Sequence, residues 1–486
     1  MPHPTWLFVY LCGLVLLASL VAAMAGLAAE HPVTGELLGA KNLLSGEGLR
    51  WILQNTVTNF TQFAPVGTVL VAIMGIGIAE HSGLLSVLLK LLVTKAPDRL
   101  LTFVVVLAGV LSSLAADAGY VVLIPLAGMV FASAGRPPLA GIAAAFAGVS
   151  GGFSANLMIG PLDAIMAGIS TEAVKFVAKG YQVNAAGNYY FIVASTLLIA
   201  TLGTWVTEKI VLPRLAKQNA SMPENEDQPS TGITALQLRA LRWVGLFSLG
   251  FVVLLAICLV PESGVLRDPE TAGILKSPFI GGIVTVIAVY AALCGILFGR
   301  ISGTFAGHRE IVSGMEKSMA TMAGYLVLMF FAAQFVNYFA WTDLGAICAI
   351  LGAKLLASLG MNALITLFIF ILLSALLNLL IGSASAKWAL LAPIFVPMFF
   401  LLGISPEATQ MAYRIGDSTT NIITPLMPYF GVVVAFAQRY DRDVGIGTLM
   451  AMMLPYSVFF LIGWSVLLGL WGLAGLPLGP GAGIGL

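Results

Sequence analysis

Residues 411–430 read MAYRIGDSTTNIITPLMPYF, and residues 149–163 read VSGGFSANLMIGPLD. Each is a knot of glycine, hydroxyl and amide side chains closed by an asparagine (Asn421, Asn156), with a proline four or five positions on (Pro425, Pro161). Each lies among apolar stretches, several of them too short to cross a bilayer, whose core needs ~20 residues of helix. Irregular backbone at membrane depth survives only where protein or a wet cavity satisfies it. The two knots therefore predict discontinuous helices and re-entrant hairpins, the arrangement in which transporters place their sites.

Composition agrees. Apolar residues make up 59% of the 486-residue chain and charged residues 9%, with a mean hydropathy of +0.99. A soluble domain carries about 25% charged residues, so lipid must be the solvent for most of this chain, and one integral bundle is expected. The net charge of +1 points away from nucleic acid. Cys12, Cys258, Cys294 and Cys348 have neither disulfide nor metal spacing, and the four histidines are scattered. No cofactor is expected. Segment 6–26 reads as a first membrane helix rather than a cleaved signal, because it lacks a basic start.

Spanning segments are predicted at 6–26, 65–79 continuing as 84–94, 100–116, 189–208, 241–260, 278–298, 320–340, 363–382 and 448–473. Shorter apolar stretches fall at 118–134, 138–149, 156–168, 386–402, 408–415 and 421–437. Basic residues mark cytoplasmic loops: Lys90, Lys95 and Arg99; Lys209, Arg214, Lys217, Arg239 and Arg242; Arg300, Arg309 and Lys317. The polar segment 210–240 divides a first half, 1–209, from a second, 241–486. The terminal LPLGPGAGIGL reads as a flexible tail.

The halves echo one another. DAGYVVLIPLAGMVFASAGRPPLAG from Asp117 aligns with SAKWALLAPIFVPMFFLLGISPEAT from Ser385. At a constant offset Tyr120 faces Trp388, Pro125 faces Pro393, Gly135 faces Gly403 and Pro138 faces Pro406. GIAEHSGLL and YFAWTDLGA interrupt apolar runs at matching distances upstream. Loop charges give the two copies, around 117–163 and 385–425, opposite orientations. An inverted repeat of this kind puts the solute near the midplane.

Ionisable side chains inside the bilayer are costly and are site candidates by default. Here they are Asp117, Asp163, Lys387, Arg414 and Asp417. Arg414 and Asp417 lie three apart and share a helix face. The guanidinium fork of Arg414 suits a carboxylate, with Asp417 as its proton or cation partner; a structural salt bridge is the other reading. Asp163 and Asp117 are further ion-coupling candidates. Asn156, Asn421, Thr419 and Ser154 could offer oxygens to sodium. Asn378 needs a hydrogen-bond partner, and Trp388 could stack on an aromatic solute or simply pack. Pro161, Pro406 and Pro425 end or kink helices, with gating a secondary role. Glu80, His81 and Asp343 read as surface or helix-break residues.

The strings NLLIGSASAKWALLAPIFVPMF, MAYRIGDSTTNIITPLMPYF, AAQFVNYFAWTDLG and SGGFSANLMIGPLDA closely resemble the AbgT family of p-aminobenzoyl-glutamate transporters, along nearly the whole chain. The twin hairpins resemble, more distantly, the divalent-anion/sodium symporters. The AbgT resemblance implies an all-α integral membrane protein of about nine transmembrane helices and two re-entrant hairpins, with helices broken at the midplane, in a bowl-shaped homodimer of the bacterial inner membrane. It implies that Asp163, Asn378, Ser385, Trp388, Pro406, Arg414, Asp417 and Pro425 line a solute pathway.

The expected function is ion-coupled secondary transport of p-aminobenzoyl-glutamate-like folate catabolites or sulfonamide antimetabolites, which are small anionic aromatic solutes, driven by protons or sodium. A sodium-coupled dicarboxylate importer is the nearest rival. An intramembrane enzyme would need a Ser/His or paired-Asp set in adjacent spans, and a channel would show single-channel conductance. Inverted repeats permit import or export equally.

Overall fold

The computed structural model describes residues 4–30, 35–114, 119–217, 232–274, 277–427 and 429–486. Asp117 and the centre of the linker, 218–231, lie outside these described residues.

The first half opens with α1 (Pro4–Met24), an apolar helix that packs on α15 below. A small antiparallel ribbon follows, Ala28–Glu30 against Leu37–Gly39, a minor addition to a fold that is helical as expected. Its Ala29 side chain packs on Ile347 and Ile350. Next come α2 (Gly46–Thr61), α3 (Ala64–His81), α4 (Leu84–Thr94), α5 (Leu101–Leu111), α6 (Ile124–Ser133), α7 (Pro138–Phe146), α8 (Pro161–Val174), α9 (Tyr189–Val206) and α10 (Leu212–Lys217). The second half holds α11 (Ala235–Leu259), the single turn α12 (Pro278–Gly281), α13 (Ile283–Ser302), α14 (His308–Thr321), α15 (Ala323–Trp341), α16 (Leu344–Ser358), α17 (Ala363–Asn378), α18 (Ala384–Phe400), α19 (Pro406–Thr420), α20 (Phe430–Gln438) and α21 (Ile446–Leu473).

Seven of these spans are long and apolar enough to cross a membrane, with α2–α3 counted as one. The pair α16–α17, bent by 117°, makes an eighth. The protein buries no residue of the most apolar stretch of α11, where Leu246, Leu249, Val253 and Ile257 are exposed. A helix that is apolar all round and uncovered needs lipid around it. Inside the bundle, small residues let backbones touch, as expected where water supplies no driving force. A Cβ on Gly75 would stand 2.1 Å from the Ala288 carbonyl oxygen, and one on Gly295 would stand 2.6 Å from Ala79. These contacts lock α3 against α13.

The paired breaks fall where the sequence puts them. Between α3 and α4 the chain turns at Gly83 (φ 85°), and between α15 and α16 at Asp343 (φ 59°). Aspartate tolerates this left-handed region better than most side chains, and Asp343 is tied there by Lys41 at 2.9 Å. The two hairpins share one turn. Helix α6 ends at Gly135 (φ 69°) and α18 at Gly403 (φ 79°). Arg136 N–H donates to Phe131 O at 2.8 Å, and Ile404 N–H to Phe399 O at 3.0 Å. This is the glycine-terminated helix end in both copies, and Pro138 and Pro406 then open the returning helices α7 and α19.

Three differences from the expected layout have physical reasons. Helix α2, GEGLRWILQNTVTNFT, was not among the predicted spans because of its polar side chains. Asn59 of α2 donates to Gln334 Oε1 at 3.0 Å, and Gln334 donates to Thr56 O at 2.8 Å, so protein supplies what lipid cannot. Helix α16 also went unlisted, hidden behind the break at Asp343. The C-terminal tail, expected to be flexible, is pinned to the second hairpin turn. Ser405 N–H donates to Ile484 O at 2.9 Å, Ser405 Oγ to Gly483 O at 2.6 Å, and Leu486 N–H to Gly403 O at 3.1 Å.

Candidate functional site

The returning arms of both hairpins end in distorted helix. After α7 the backbone widens into a π-helical turn at Ala147–Gly151, a feature that often marks a functional position. After α19 it tightens into a 3-10 turn at Asn421–Ile423. The two turns meet: a Cβ on Gly151 would lie 3.2 Å from Ile422. Helix α8, which follows the first knot, packs against α3, α18 and α19. The α19 helix lies so close to α17 that a Cβ on Gly416 would be 2.3 Å from Ile371 O.

This packing sorts the candidate residues into two clusters, one ion pair in each. Arg414 and Asp417 do share α19, but they do not pair with each other. Arg414 Nη1 donates to Asp163 Oδ1 at 2.6 Å, and Nη2 to the Ser154 carbonyl at 3.2 Å. Asp163 is the third residue of α8, and its Oδ2 accepts Gly160 N–H at 2.7 Å. The carboxylate thus caps a helix N-terminus, where negative charge is favoured, and also holds the guanidinium. Asn156 stands alongside. Its amide donates to Ser113 Oγ at 2.8 Å, and its Oδ1 accepts Leu157 and Met158 N–H at 2.7 and 3.1 Å. Pro161, the first residue of α8, Asn156, Ser154, Asp163 and Arg414 all line a small pocket of about 20 Å³. Arg414 Nε is buried there with no hydrogen-bond partner. An orphaned buried donor is rare.

The second cluster lies deeper among α17, α18 and α19. Lys387 Nζ meets Asp417 Oδ1 at 2.6 Å and donates to Asn378 Oδ1. Asn378 in turn donates to Asp417 O at 2.6 Å, Thr420 Oγ1 at 2.8 Å and Asn421 Oδ1 at 2.9 Å. Tyr413 OH donates to Ala384 O at 2.6 Å and lies 3.2 Å from Asp417 Oδ1. Lys387 and Asp417 are each about 1% exposed, and Asn378 is fully buried. Moving one charge into such surroundings costs several kcal/mol, so every ion here sits with its counter-ion.

The remaining candidates fall elsewhere. Trp388 is fully buried, stacked on Tyr413 with ring centres 4.7 Å apart. Its Nε1 donates to Ser170 Oγ at 3.1 Å and to Met166 O at 3.2 Å, so it ties α18 to α8. Ser385 is half-buried in the first turn of α18. Thr419 Oγ1 donates to Ile415 O at 2.8 Å. Pro406 is buried at the start of α19, and exposed Pro425 borders an open hollow beside Met450 and Leu454.

Several residues escaped the sequence reading. Tyr413 and Thr420 sit inside a quoted motif and could have been included. Glu407 is buried and accepts from Tyr181 OH at 2.9 Å, but its place beside Pro406 looked like hairpin turn. Ser113 belongs to the polar break before Asp117. Glu80 and His81, read as surface or break residues, line a cavity of about 540 Å³ together with Lys317.

A bundle of long apolar helices that needs lipid around it, with one buried ion pair at a small pocket and a second buried among its helices, is the architecture of a membrane transport protein. Comparison with known proteins narrows the class. The AbgT transporter family matches residues 1–486. The p-aminobenzoyl-glutamate transport protein of Escherichia coli K12 is 37% identical over 480 residues, covering 99% of this chain and 94% of that protein. Two solved structures are also similar throughout. The YdaH transporter of Alcanivorax borkumensis is 53% identical with a TM-score of 0.94, covering 99% of this chain and all of that one. MtrF of Neisseria gonorrhoeae, described within a class of antimetabolite efflux pumps, is 48% identical with a TM-score of 0.93, covering 99% of this chain and 97% of that one. The chain belongs to the AbgT family: it is a multi-pass inner-membrane transporter of bacteria, not an enzyme.

Proposed function

We propose that the protein is a proton-coupled secondary transporter of p-aminobenzoyl-glutamate-like folate catabolites or sulfonamide antimetabolites, working as a homodimer whose hairpins form an inverted repeat. The observation that carries this reading is buried Arg414, which lines the small pocket and whose Nε has no hydrogen-bond partner. A guanidinium with one nitrogen wholly unpartnered can offer it to an anionic oxygen of the solute, and charge-assisted bonds of this kind are about twice as strong as neutral ones. The relatives' names support the solute class.

The choice of the proton over sodium rests on the second cluster. The Lys387 ammonium already stands between Asp417 and Asn378, where a metal cation would otherwise find its ligands. The oxygens considered for sodium are engaged in protein hydrogen bonds: Asn156 Oδ1 with two amides, Asn421 Oδ1 with Asn378, the Ser154 carbonyl with Arg414, and Thr419 Oγ1 with Ile415.

Proteoliposomes with labelled p-aminobenzoyl-glutamate test the reading, with proton and sodium gradients imposed separately. Uptake or efflux driven by the proton gradient alone is expected. Flux that follows only the sodium gradient would overturn the coupling assignment, and no gradient-driven flux at all would overturn the transport mechanism. Competition by succinate or citrate but not by aromatic amides would favour the dicarboxylate importer.

A further inference from the structure

The cavity of about 540 Å³ lies between the scaffold helices α3 and α14 on one side and the first knot on the other. That volume falls in the range of small-molecule sites, about 300–1,000 Å³. Its inner wall includes Ser113, Leu114, Phe153, Pro161 and Leu162, and these five residues also line the small Arg414 pocket. The two hollows therefore share a wall.

The outer wall carries Lys317 and His81 beside the carboxylate of Glu80. Lys317 Nζ lies 3.5 Å from His81 Nε2, and Ser318, Thr321 and Glu80 line the same side. Two glycines set this geometry. A Cβ on Gly77 would fall 2.0 Å from Ser318 Oγ, and one on Gly314 would fall 3.2 Å from the His81 side chain, so α14 lies directly on α3. The His81 ring also stacks on Phe305, with centres 6.4 Å apart. Between the walls the lining is apolar, chiefly Ile73, Ile76, Phe153, Leu162 and Ile165. The cavity thus has an outer end where Lys317 stands with His81 and Glu80, an apolar middle, and an inner wall shared with the Arg414 pocket.

We propose that this cavity is a receiving site for the solute, in which Lys317 binds a carboxylate and the apolar middle holds the aromatic ring before the solute reaches Arg414. The proposal rests on the reading of the protein as a carrier of small anionic aromatic solutes. Lys317 is exposed to the cavity mouth, as a first contact should be, whereas Arg414 is buried behind the shared wall. Lysine serves as a rotatable point charge, suited to capture, while arginine fixes orientation through its fork.

Binding titrations with p-aminobenzoyl-glutamate and its neutral diamide, on wild type, Lys317→Met and Lys317→Arg, test this. Lys317→Met should weaken the anionic solute about tenfold and leave the diamide within about twofold, as loss of one charge-assisted contact would. Lys317→Arg should restore most of the affinity. Unchanged affinity of Lys317→Met for the anion overturns the receiving site while leaving the transport reading intact, and so does an equal loss for both compounds. Wild-type protein that binds neither compound overturns the transport reading and the receiving site together.

Discussion

The two buried ion pairs among the described residues differ in what their cations have left over. Arg414 spends two of its nitrogens on Asp163 and Ser154, lines a small pocket, and keeps Nε without a partner. Lys387 is enclosed by Asp417 and Asn378, and Asn378 is itself bonded to Asp417, Thr420 and Asn421. One pair is left open toward a hollow; the other is knitted into the second knot. On the function proposed above, the first pair serves solute binding and the second serves ion coupling.

The largest expected effect comes from breaking the open pair. Arg414→Ala should lower solute affinity by at least about a hundredfold, or ~2.7 kcal/mol, as measured by titration of purified protein. Because it leaves Asp163 buried and alone, a loss of about 3–5 kcal/mol in stability can accompany it. Arg414→Lys keeps the charge and should remain folded with binding still impaired, since an ammonium cannot reproduce the fork. Full affinity in Arg414→Lys would show that charge alone matters there.

Breaking the enclosed pair should separate binding from coupling. Lys387→Met is expected to cut proton-driven flux by about tenfold or more, with a stability loss of about 3–5 kcal/mol from the lone buried Asp417, while affinity of the folded protein for solute changes by less than about threefold. Equal losses in both readouts would erase the distinction between the pairs. A smaller effect is expected at Trp388. Trp388→Phe keeps the stack on Tyr413 and loses the bonds to Ser170 and Met166, costing about 1 kcal/mol of stability with near-normal affinity. A tenfold affinity loss would instead mean that the indole touches solute. The hairpin turns make the finest comparison: Gly135→Ala and Gly403→Ala each place a Cβ at positive φ. Each should destabilise the protein by about 1–2 kcal/mol, read as similar drops in thermal midpoint.

Most of the spans were legible because lipid demands continuous apolar helix, and α11 and α21 satisfy that demand almost without exception. The hairpin turns were legible as well, because glycine and proline leave local marks that repeat at Gly135 and Gly403 and at Pro138 and Pro406. What stayed hidden depends on contact between distant segments. Arg414 and Asp417 are close in sequence, yet Arg414 bonds to Asp163 in the other half of the chain, and nothing in the spacing of α19 announces that choice. Polar α2 was masked because its Asn59 is satisfied by Gln334 on α15. The tail looked mobile from its glycines, but backbone hydrogen bonds from Ser405 to Ile484 and from Leu486 to Gly403 hold it against the hairpin turn. His81 and Lys317, far apart in sequence, become neighbours only when Gly77 and Gly314 let α14 settle on α3.

An experimental structure with p-aminobenzoyl-glutamate bound tests the central claim most directly. The account predicts an anionic oxygen of the solute within hydrogen-bond distance of Arg414 Nε, with the Lys387–Asp417 pair untouched. Solute bound elsewhere in the protomer, with Arg414 still closed off from it, would contradict the account.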